Sequence, residues 1–189
     1  ALLPLLDDPS EIDAVVLALQ NAATADGELP REVTDLDVSD TRIFFAVELD
    51  DEDLDDNGNV IGRHQVWISD GTAFGNLRLA AFTEASIDPD TTIQNLTAVD
   101  DDVAYFTLSV GGDVELYRID ASGLTFVAQF DEPIVETRAV DENLFVLEEG
   151  TGVSRLWFVA GSVASLVANQ SGEPVSNSAN LTVLAGSPD

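Results

Sequence analysis

The same strand-and-turn pattern occurs three times along this chain, and each copy places one large aromatic residue at the same point. The three aromatic residues are Trp67, Tyr117 and Trp157. Each follows an aliphatic residue and is soon followed by a turn. From Val33 onward the hydrophobic pattern has the period of β-strands. Repetition on this scale is typical of architectures built from a series of small sheets.

The copies extend into blocks of four short strands joined by hairpins, with Gly, Asp and Asn at the turns. The blocks span about residues 33–82, 96–130 and 135–168, and residues 175–189 match the start of another. The second and third blocks begin 39 residues apart, which is close to the period of a propeller blade. The pattern therefore predicts an all-β fold: a propeller-like array of four-stranded blades, three complete and a fourth partial.

The fourth block stops early, and this has consequences for partners. A propeller normally needs about four or more blades to close and to shield its strand edges. We therefore expect either a longer parent protein, or a protein partner or second copy of this chain that completes the last blade.

The pattern predicts an N-terminal unit over residues 1–30, ahead of the repeat domain at 31–189. Its first six residues, Ala1–Leu6, are mainly apolar, and we expect them to dock on a core or a partner. Ser10 and Asp13 resemble a capping box, and apolar residues then follow at helical spacing. The spacing predicts one helix over about residues 10–24.

The composition limits the chemistry that the chain can perform. The chain has 36 acidic residues against seven Arg, and its formal net charge is -29. Such a surface repels nucleic acid and anionic membranes, and it suits divalent cations, cationic partners or a high-salt medium. A general salt adaptation and a functional cause both remain open. With one His, no Cys and no Lys, most covalent mechanisms are excluded, and we expect no enzyme activity.

The insertion in the first block is the strongest candidate site. Side chains with oxygen atoms occur at alternate positions of this insertion, and a Gly at position 58 permits a sharp turn, which is the pattern of a calcium-binding loop. These residues are Asp53, Asp55, Asn57 and Asn59. Their side-chain oxygens can converge on one hard cation, and the site would need Asp51, Asp56 or a water to complete the shell. The twelfth position is His64, where an EF-hand has Glu. The alternative is a solvated acidic hairpin without an ion.

The stretch from residue 62 to residue 76 resembles one unit of the ELWxxDGT repeat family. Gln65-Val66-Trp67 stands in place of Glu-Leu-Trp, and Ser69-Asp70-Gly71-Thr72 and Gly75 are kept, whereas Asn76 replaces a Thr. The other two copies keep only the aliphatic and aromatic core of the motif. The resemblance implies propeller-like arrays in large bacterial surface and secreted proteins. The resemblance implies a fold for this chain and does not imply a defined activity.

Together these observations predict a non-catalytic structural or adhesive binding module that is extracellular, on the cell surface or periplasmic. A specific version is an accessory subunit of a larger extracellular or membrane assembly, without membrane insertion. The alternative is a carbohydrate-binding or carbohydrate-active propeller, which predicts an exposed Trp67 or Trp157, or an axial pocket lined by acids.

Overall fold

Twelve β-strands and no α-helix make up the described part of the computed structural model. The described residues are 30–49, 62–70, 76–83, 93–110, 112–150 and 153–167. Their strands form three antiparallel sheets of four strands each. Within these residues, the prediction of an all-β fold with three four-stranded units is confirmed. The propeller-like arrangement of the units stays a prediction.

Each sheet is a meander in which every strand pairs with the next one along the chain. Sheet 1 contains β1 (Pro30–Val38), β2 (Ile43–Leu49), β3 (His64–Ser69) and β4 (Asn76–Phe82). Sheet 2 contains β5 (Gln94–Ala98), β6 (Ala104–Val110), β7 (Asp113–Asp120) and β8 (Gly123–Phe130). Sheet 3 contains β9 (Ile134–Val140), β10 (Asn143–Gly150), β11 (Val153–Ala160) and β12 (Val163–Leu166). We call β1, β5 and β9 the first strands, and β4, β8 and β12 the outer strands.

The β9–β10 hairpin illustrates how local sequence sets these elements. Val140 pairs with Asn143 across a two-residue turn, and Asp141 in that turn has a φ of 53°. Asp tolerates the left-handed backbone that such a tight turn requires. In β10, Leu144 and Val146 are both fully buried, as strand alternation places them on one face.

Two apolar cores hold the sheets face to face. The first lies between sheets 1 and 2 and includes Phe44 and Phe106; the second lies between sheets 2 and 3 and includes Tyr105 and Leu144. All four side chains are at most 1% exposed. Phe106 and Tyr105 are neighbours on β6, so the two faces of that strand serve the two cores. Full burial of a large apolar side chain contributes about 1.5–3 kcal/mol relative to exposure.

The repeated aromatic residue occupies the same place in all three sheets. Each lies on the third strand, and Trp67, Tyr117 and Trp157 pair with Phe45, Phe106 and Val146, respectively. Trp67 is 6% exposed and stacks on Phe45 with 6.4 Å between ring centroids. Tyr117 stacks on Phe106 at 5.8 Å. The repeated residue therefore contributes to packing in each sheet.

Several predicted features lie outside the described residues. They are the docking segment at residues 1–6, the helix over 10–24, and the partial fourth block at 175–189. The structure therefore gives no support to the N-terminal helix.

Candidate functional site: a groove between the first strands

A groove of about 520 Å³ lies between the first strands of the three sheets. β1 lies against β5, and β5 lies against β9. Runs of consecutive residues line the groove: 35–37 from β1, 95–97 from β5 and 135–139 from β9. Neighbouring residues on a strand point to opposite faces. An unbroken run of lining residues therefore means that each strand turns its backbone edge toward the groove.

Each first strand is an edge strand of its sheet. In an antiparallel pair, every second residue points its N–H and C=O away from the partner strand. On an edge strand these groups are a template for pairing with another strand unless something covers them. How each edge is covered therefore decides what the groove can bind.

Asp35 covers part of the edge between β1 and β5. Its Oδ1 accepts a hydrogen bond from the Leu36 N–H at 2.9 Å, and its Oδ2 accepts one from the Leu96 N–H at 2.8 Å. One carboxylate thus joins the edge amides of two sheets. Burial raises the pKa of Asp35 above its usual value, although both N–H groups act in the opposite direction.

Asp37 repeats this arrangement two residues further along β1. Its Oδ1 accepts the Val38 N–H at 2.9 Å, and its Oδ2 accepts the Ala98 N–H at 2.9 Å. We call Asp35 and Asp37 the carboxylate bridge. Hydrogen bonds to a charged group contribute about 1.5–3 kcal/mol each. The bridge therefore closes the β1–β5 edge and holds sheet 1 to sheet 2.

The contact between β5 and β9 is built differently. The hydroxyl oxygens of Thr97 and Thr137 lie 2.5 Å apart, and Thr137 Oγ1 also donates to the Asn95 carbonyl at 3.4 Å. Asn95 precedes Leu96 as Asp35 precedes Leu36, but its Nδ2 donates to Thr107 Oγ1 at 2.9 Å instead. Among the residues that the structure describes, no carboxylate bridges these two strands.

A third aspartate fixes one end of the same region. Asp101 accepts hydrogen bonds from the Ser39 hydroxyl at 2.6 Å, the Thr41 hydroxyl at 2.6 Å and the Thr41 N–H at 2.9 Å. The Ser39 hydroxyl contributes most, followed by Thr41, in holding the pKa of Asp101 below its usual value. The β5–β6 connection is thereby tied to the β1–β2 turn.

Glu148 is a buried carboxylate in sheet 3, and it is 2% exposed. Its Oε2 accepts the Trp157 indole N–H at 2.9 Å, and its Oε1 accepts a hydrogen bond from Arg155 at 3.1 Å. A buried charge requires such partners. In sheet 2, the hydroxyl of Tyr117 donates to Glu115, and burial, followed by this bond, raises the pKa of Tyr117 to about 12.

A second surface is formed by exposed apolar residues on the outer strands of sheets 1 and 2, β4 and β8, which are in contact. Leu77, Leu124 and Phe126 are 56%, 39% and 51% exposed. They pair with residues whose side chains belong to the core between sheets 1 and 2 or pack against it: Ile68, Ile119 and Tyr117, respectively. Side chains of directly paired residues lie on the same face of a sheet. We call these three residues the outer cleft, an exposed apolar extension of that core.

The predicted calcium ligands Asp51, Asp53, Asp55, Asn57 and Asn59 all lie outside the described residues, so the site stays a prediction. The base of their connection is described. The Leu49 N–H donates to the Arg63 carbonyl at 2.9 Å, and Arg63 pairs with Glu48. A Cβ at Gly62 would lie 2.3 Å from the Phe82 carbonyl, and Gly62 has a φ of 126°, so this end of the connection requires glycine.

His64, noted in the sequence, and the turn residue Asp120 have ordinary structural surroundings. His64 is 6% exposed at the start of β3. Asp120 accepts the Ser122 N–H at 2.7 Å, as expected for a turn-forming residue. No group of three or more His, Cys, Asp or Glu residues that could hold a metal ion occurs in the described ranges.

Sequence reasoning missed the carboxylate bridge, although one signal was present. Asp35 and Asp37 flank Leu36 within a predicted strand. Acidic residues are depleted in strands, so two of them at alternate positions could have indicated a strand edge with a special role. Their partners on β5 were not visible in the sequence.

The chain matches no protein-family model, no curated protein and no solved structure. The resemblance to the ELWxxDGT repeat family therefore stays a prediction. The part of the chain described by the structure contains no helix with the length and apolar character needed to cross a membrane.

Proposed function

We propose that this chain is a non-catalytic structural or adhesive module that binds a protein partner. The outer cleft is the observation that carries this proposal. Exposed apolar clusters bordered by polar residues typically mark protein–protein contacts. Leu77 and Phe126 are each more than half exposed and extend a buried core, so a partner's apolar side chain can join that core at small conformational cost.

The roles of the acidic residues support the non-catalytic part of this proposal. Asp35, Asp37 and Asp101 accept backbone or hydroxyl hydrogen bonds that join sheets. Glu148 holds an indole and a guanidinium. The hydrogen bonds of these carboxylates stabilise the fold, whereas a catalytic carboxylate needs to contact a substrate.

The regular stacking of sheets supports a propeller-like continuation. One face of sheet 1 carries sheet 2, and the matching face of sheet 2 carries sheet 3. The matching face of sheet 3 presents Phe145 and Phe158, which are partly buried and have ring centroids 5.3 Å apart. We propose that a further sheet, from this chain, a second copy or another protein, packs there.

The proposals of export, of docking through residues 1–6 and of calcium binding rest on the sequence alone. Calcium has a direct test in thermal unfolding with millimolar calcium, with magnesium and NaCl as controls. Because binding to the native state raises its stability, we expect a calcium-specific rise in midpoint that is lost in Asp53→Ala with Asp55→Ala. An equal rise with NaCl would indicate salt adaptation instead.

The carbohydrate-binding alternative has less support. Asp35, Asp37 and Glu136 do line the groove between the first strands, but Asp35 and Asp37 both accept backbone N–H groups there. Stacking on a sugar requires an exposed aromatic face, whereas Trp67 is 6% exposed. The indole N–H of Trp157 is engaged by Glu148, and its ring packs on Phe130 at 5.4 Å. A glycan array that gave specific binding, abolished by Trp157→Ala, would favour the alternative.

Site-specific photo-cross-linking tests the protein-binding proposal. A benzophenone side chain at Phe126 should yield one defined adduct in the medium or cells that produce the protein. The same group at Val163, which is 62% exposed on an outer strand of sheet 3, is the matched control. The identified partner should then bind the purified chain and lose binding with Leu77→Glu. Equal labelling at both positions, or none, would contradict the proposal.

A further inference from the structure

We propose that the edge of β9 inside the groove binds an extended, basic peptide segment of a partner protein as an added strand. This mode of recognition uses main-chain hydrogen bonds for affinity and side-chain contacts for selectivity. The inference rests on the proposed protein-binding function, and it names a place in the fold and the chemistry of the segment bound.

The first step concerns the direction of the β9 backbone groups. Val140 and Asn143 close a two-residue turn, and the closing pair of such a hairpin is hydrogen-bonded. Because hydrogen-bonded pairs alternate with pairs that are not, the N–H and C=O of Ala139 and Thr137 point away from β10. Both residues line the groove. β9 therefore presents donors and acceptors at the spacing of a strand.

The second step is the contrast with β5. The corresponding β5 amides, those of Leu96 and Ala98, are already bonded to the carboxylate bridge. No carboxylate of the described residues bonds to the Thr137 or Ala139 N–H, and the polar contact at this position is the pair of hydroxyls of Thr97 and Thr137. An added peptide backbone can supply carbonyl acceptors to these amides and N–H donors to the neighbouring carbonyls.

The third step concerns the chemistry of the groove walls. Leu36 and Val135 are 44% and 48% exposed and offer aliphatic contacts. Three acidic residues line the groove, the two of the carboxylate bridge and Glu136, against one basic residue, Arg138. The groove walls therefore carry a net negative charge. The net charge of -29 extends the attraction for a cationic segment beyond the groove. The volume of about 520 Å³ is that of a typical ligand cleft.

The experiment measures amide hydrogen exchange by NMR, using a synthetic Lys-Val-Thr-Val-Lys peptide as the probe. Without peptide, we expect the Thr137 and Ala139 amides to exchange at least about tenfold faster than those of Leu96 and Ala98, because opening free energies differ between local structures. At saturating peptide they should slow by about tenfold or more. Glu-Val-Thr-Val-Glu and Lys-Val-Pro-Val-Lys are controls that should leave the rates unchanged.

Two variants sharpen the test. Ala139→Pro removes one outward N–H at an edge position, where proline is tolerated, and should abolish the effect of the peptide while unfolding stays cooperative. Arg138→Glu, at an exposed position, should tighten binding of the Lys peptide severalfold. Unchanged or weaker binding in Arg138→Glu would contradict the proposed charge preference and overturn the inference.

Other results would also overturn it. Slow exchange of the β9 amides at every protein concentration, without peptide, would mean that the chain covers its own edge. Slowing that grows with protein concentration would assign the edge to a second copy. A partner cross-linked at Phe126 that leaves the β9 amides fast would preserve the proposed function and reject only this inference.

Discussion

The β1–β5 contact and the β5–β9 contact join equivalent strands of neighbouring sheets, yet they use different chemistry. In the first, the carboxylate bridge accepts four backbone N–H groups. In the second, a hydroxyl pair formed by Thr97 and Thr137 replaces it. Both contacts lie beside an apolar core. The cores thus supply general cohesion between sheets, and the polar contacts decide which strand edges are closed.

Both contacts stabilise the packing of neighbouring sheets, but they differ in how accessible they leave the backbone groups at the strand edge. An edge whose amides are bonded to internal carboxylates cannot accept another strand, whereas an edge held by side-chain hydroxyls keeps its outward backbone groups available. Two contacts of similar geometry can therefore have different functions. The apolar core is the component that the two contacts share, and substitutions in it and in the polar contacts test the contrast.

The largest effect should come from Phe106→Ala, which opens the core between sheets 1 and 2. Phe106 is fully buried, and we expect a loss of about 3–5 kcal/mol in the free energy of unfolding, because transfer and cavity costs add. Denaturant unfolding measures this loss. Val163→Ala, at a 62% exposed position, is the control and should change stability by at most about 0.5 kcal/mol. Equal effects would mean that this core does not hold the sheets together.

The next effect should come from Asp37→Ala, which removes half of the carboxylate bridge. The Val38 and Ala98 amides would lose their acceptor, so we expect a loss of roughly 2–3 kcal/mol in unfolding free energy. Asp37→Asn keeps one carbonyl acceptor and should cost less. Hydrogen exchange at Ala98 should accelerate in Asp37→Ala. A variant as stable as the parent chain would show that the bridge is not needed.

A smaller effect is expected for Thr97→Val, which tests the β5–β9 contact. The substitution keeps the shape of a residue that is 7% exposed and removes its hydroxyl. We expect a loss of about 0.5–1.5 kcal/mol in unfolding free energy, because a neutral hydrogen bond is lost. Thr97→Ser, which keeps the hydroxyl, is the control. If Thr97→Val cost more than Asp37→Ala, the proposed ranking of the two contacts would be wrong.

The smallest effects should appear as opposite pH dependences of Asp101 and Asp35. The pKa of Asp101 is lowered from 3.8, so its contribution is present above that pH and is lost as the pH falls through the folded-state value. The pKa of Asp35 is raised from 3.8, so its contribution is full below that pH and is lost as the pH rises through the folded-state value.

Denaturant midpoints at neutral pH and near pH 3 measure both dependences. The deficit of Asp101→Asn relative to the parent chain should shrink on acidification. Relative to Asp35→Asn, the parent chain should gain stability on acidification. Slopes of the same sign would contradict the assignment of burial as the dominant influence on Asp35.

Strand positions were predictable because they depend on local chemistry. The apolar run in Ile43–Leu49 and the alternating burial at the start of Asn143–Gly150 indicate strands locally. The residues Asp141 and Gly123 indicate the turns in the same way. The candidate site was predictable only in part. The sequence directed attention to the acidic insertion, which lies outside the described residues, whereas the described groove depends on contacts between segments far apart in the chain.

The sequence by itself determined that the described part of this protein is built from short antiparallel strands in groups of four, since periodicity and turn chemistry act over a few residues. Only the tertiary structure decided which edges meet. Asp35 and Leu96 are 61 residues apart, and nothing local to either predicts their hydrogen bond. The packing of the two cores brings the first strands together. The aspartates of β1 can then accept hydrogen bonds from the amides of β5. The amides of β9 remain turned to the groove.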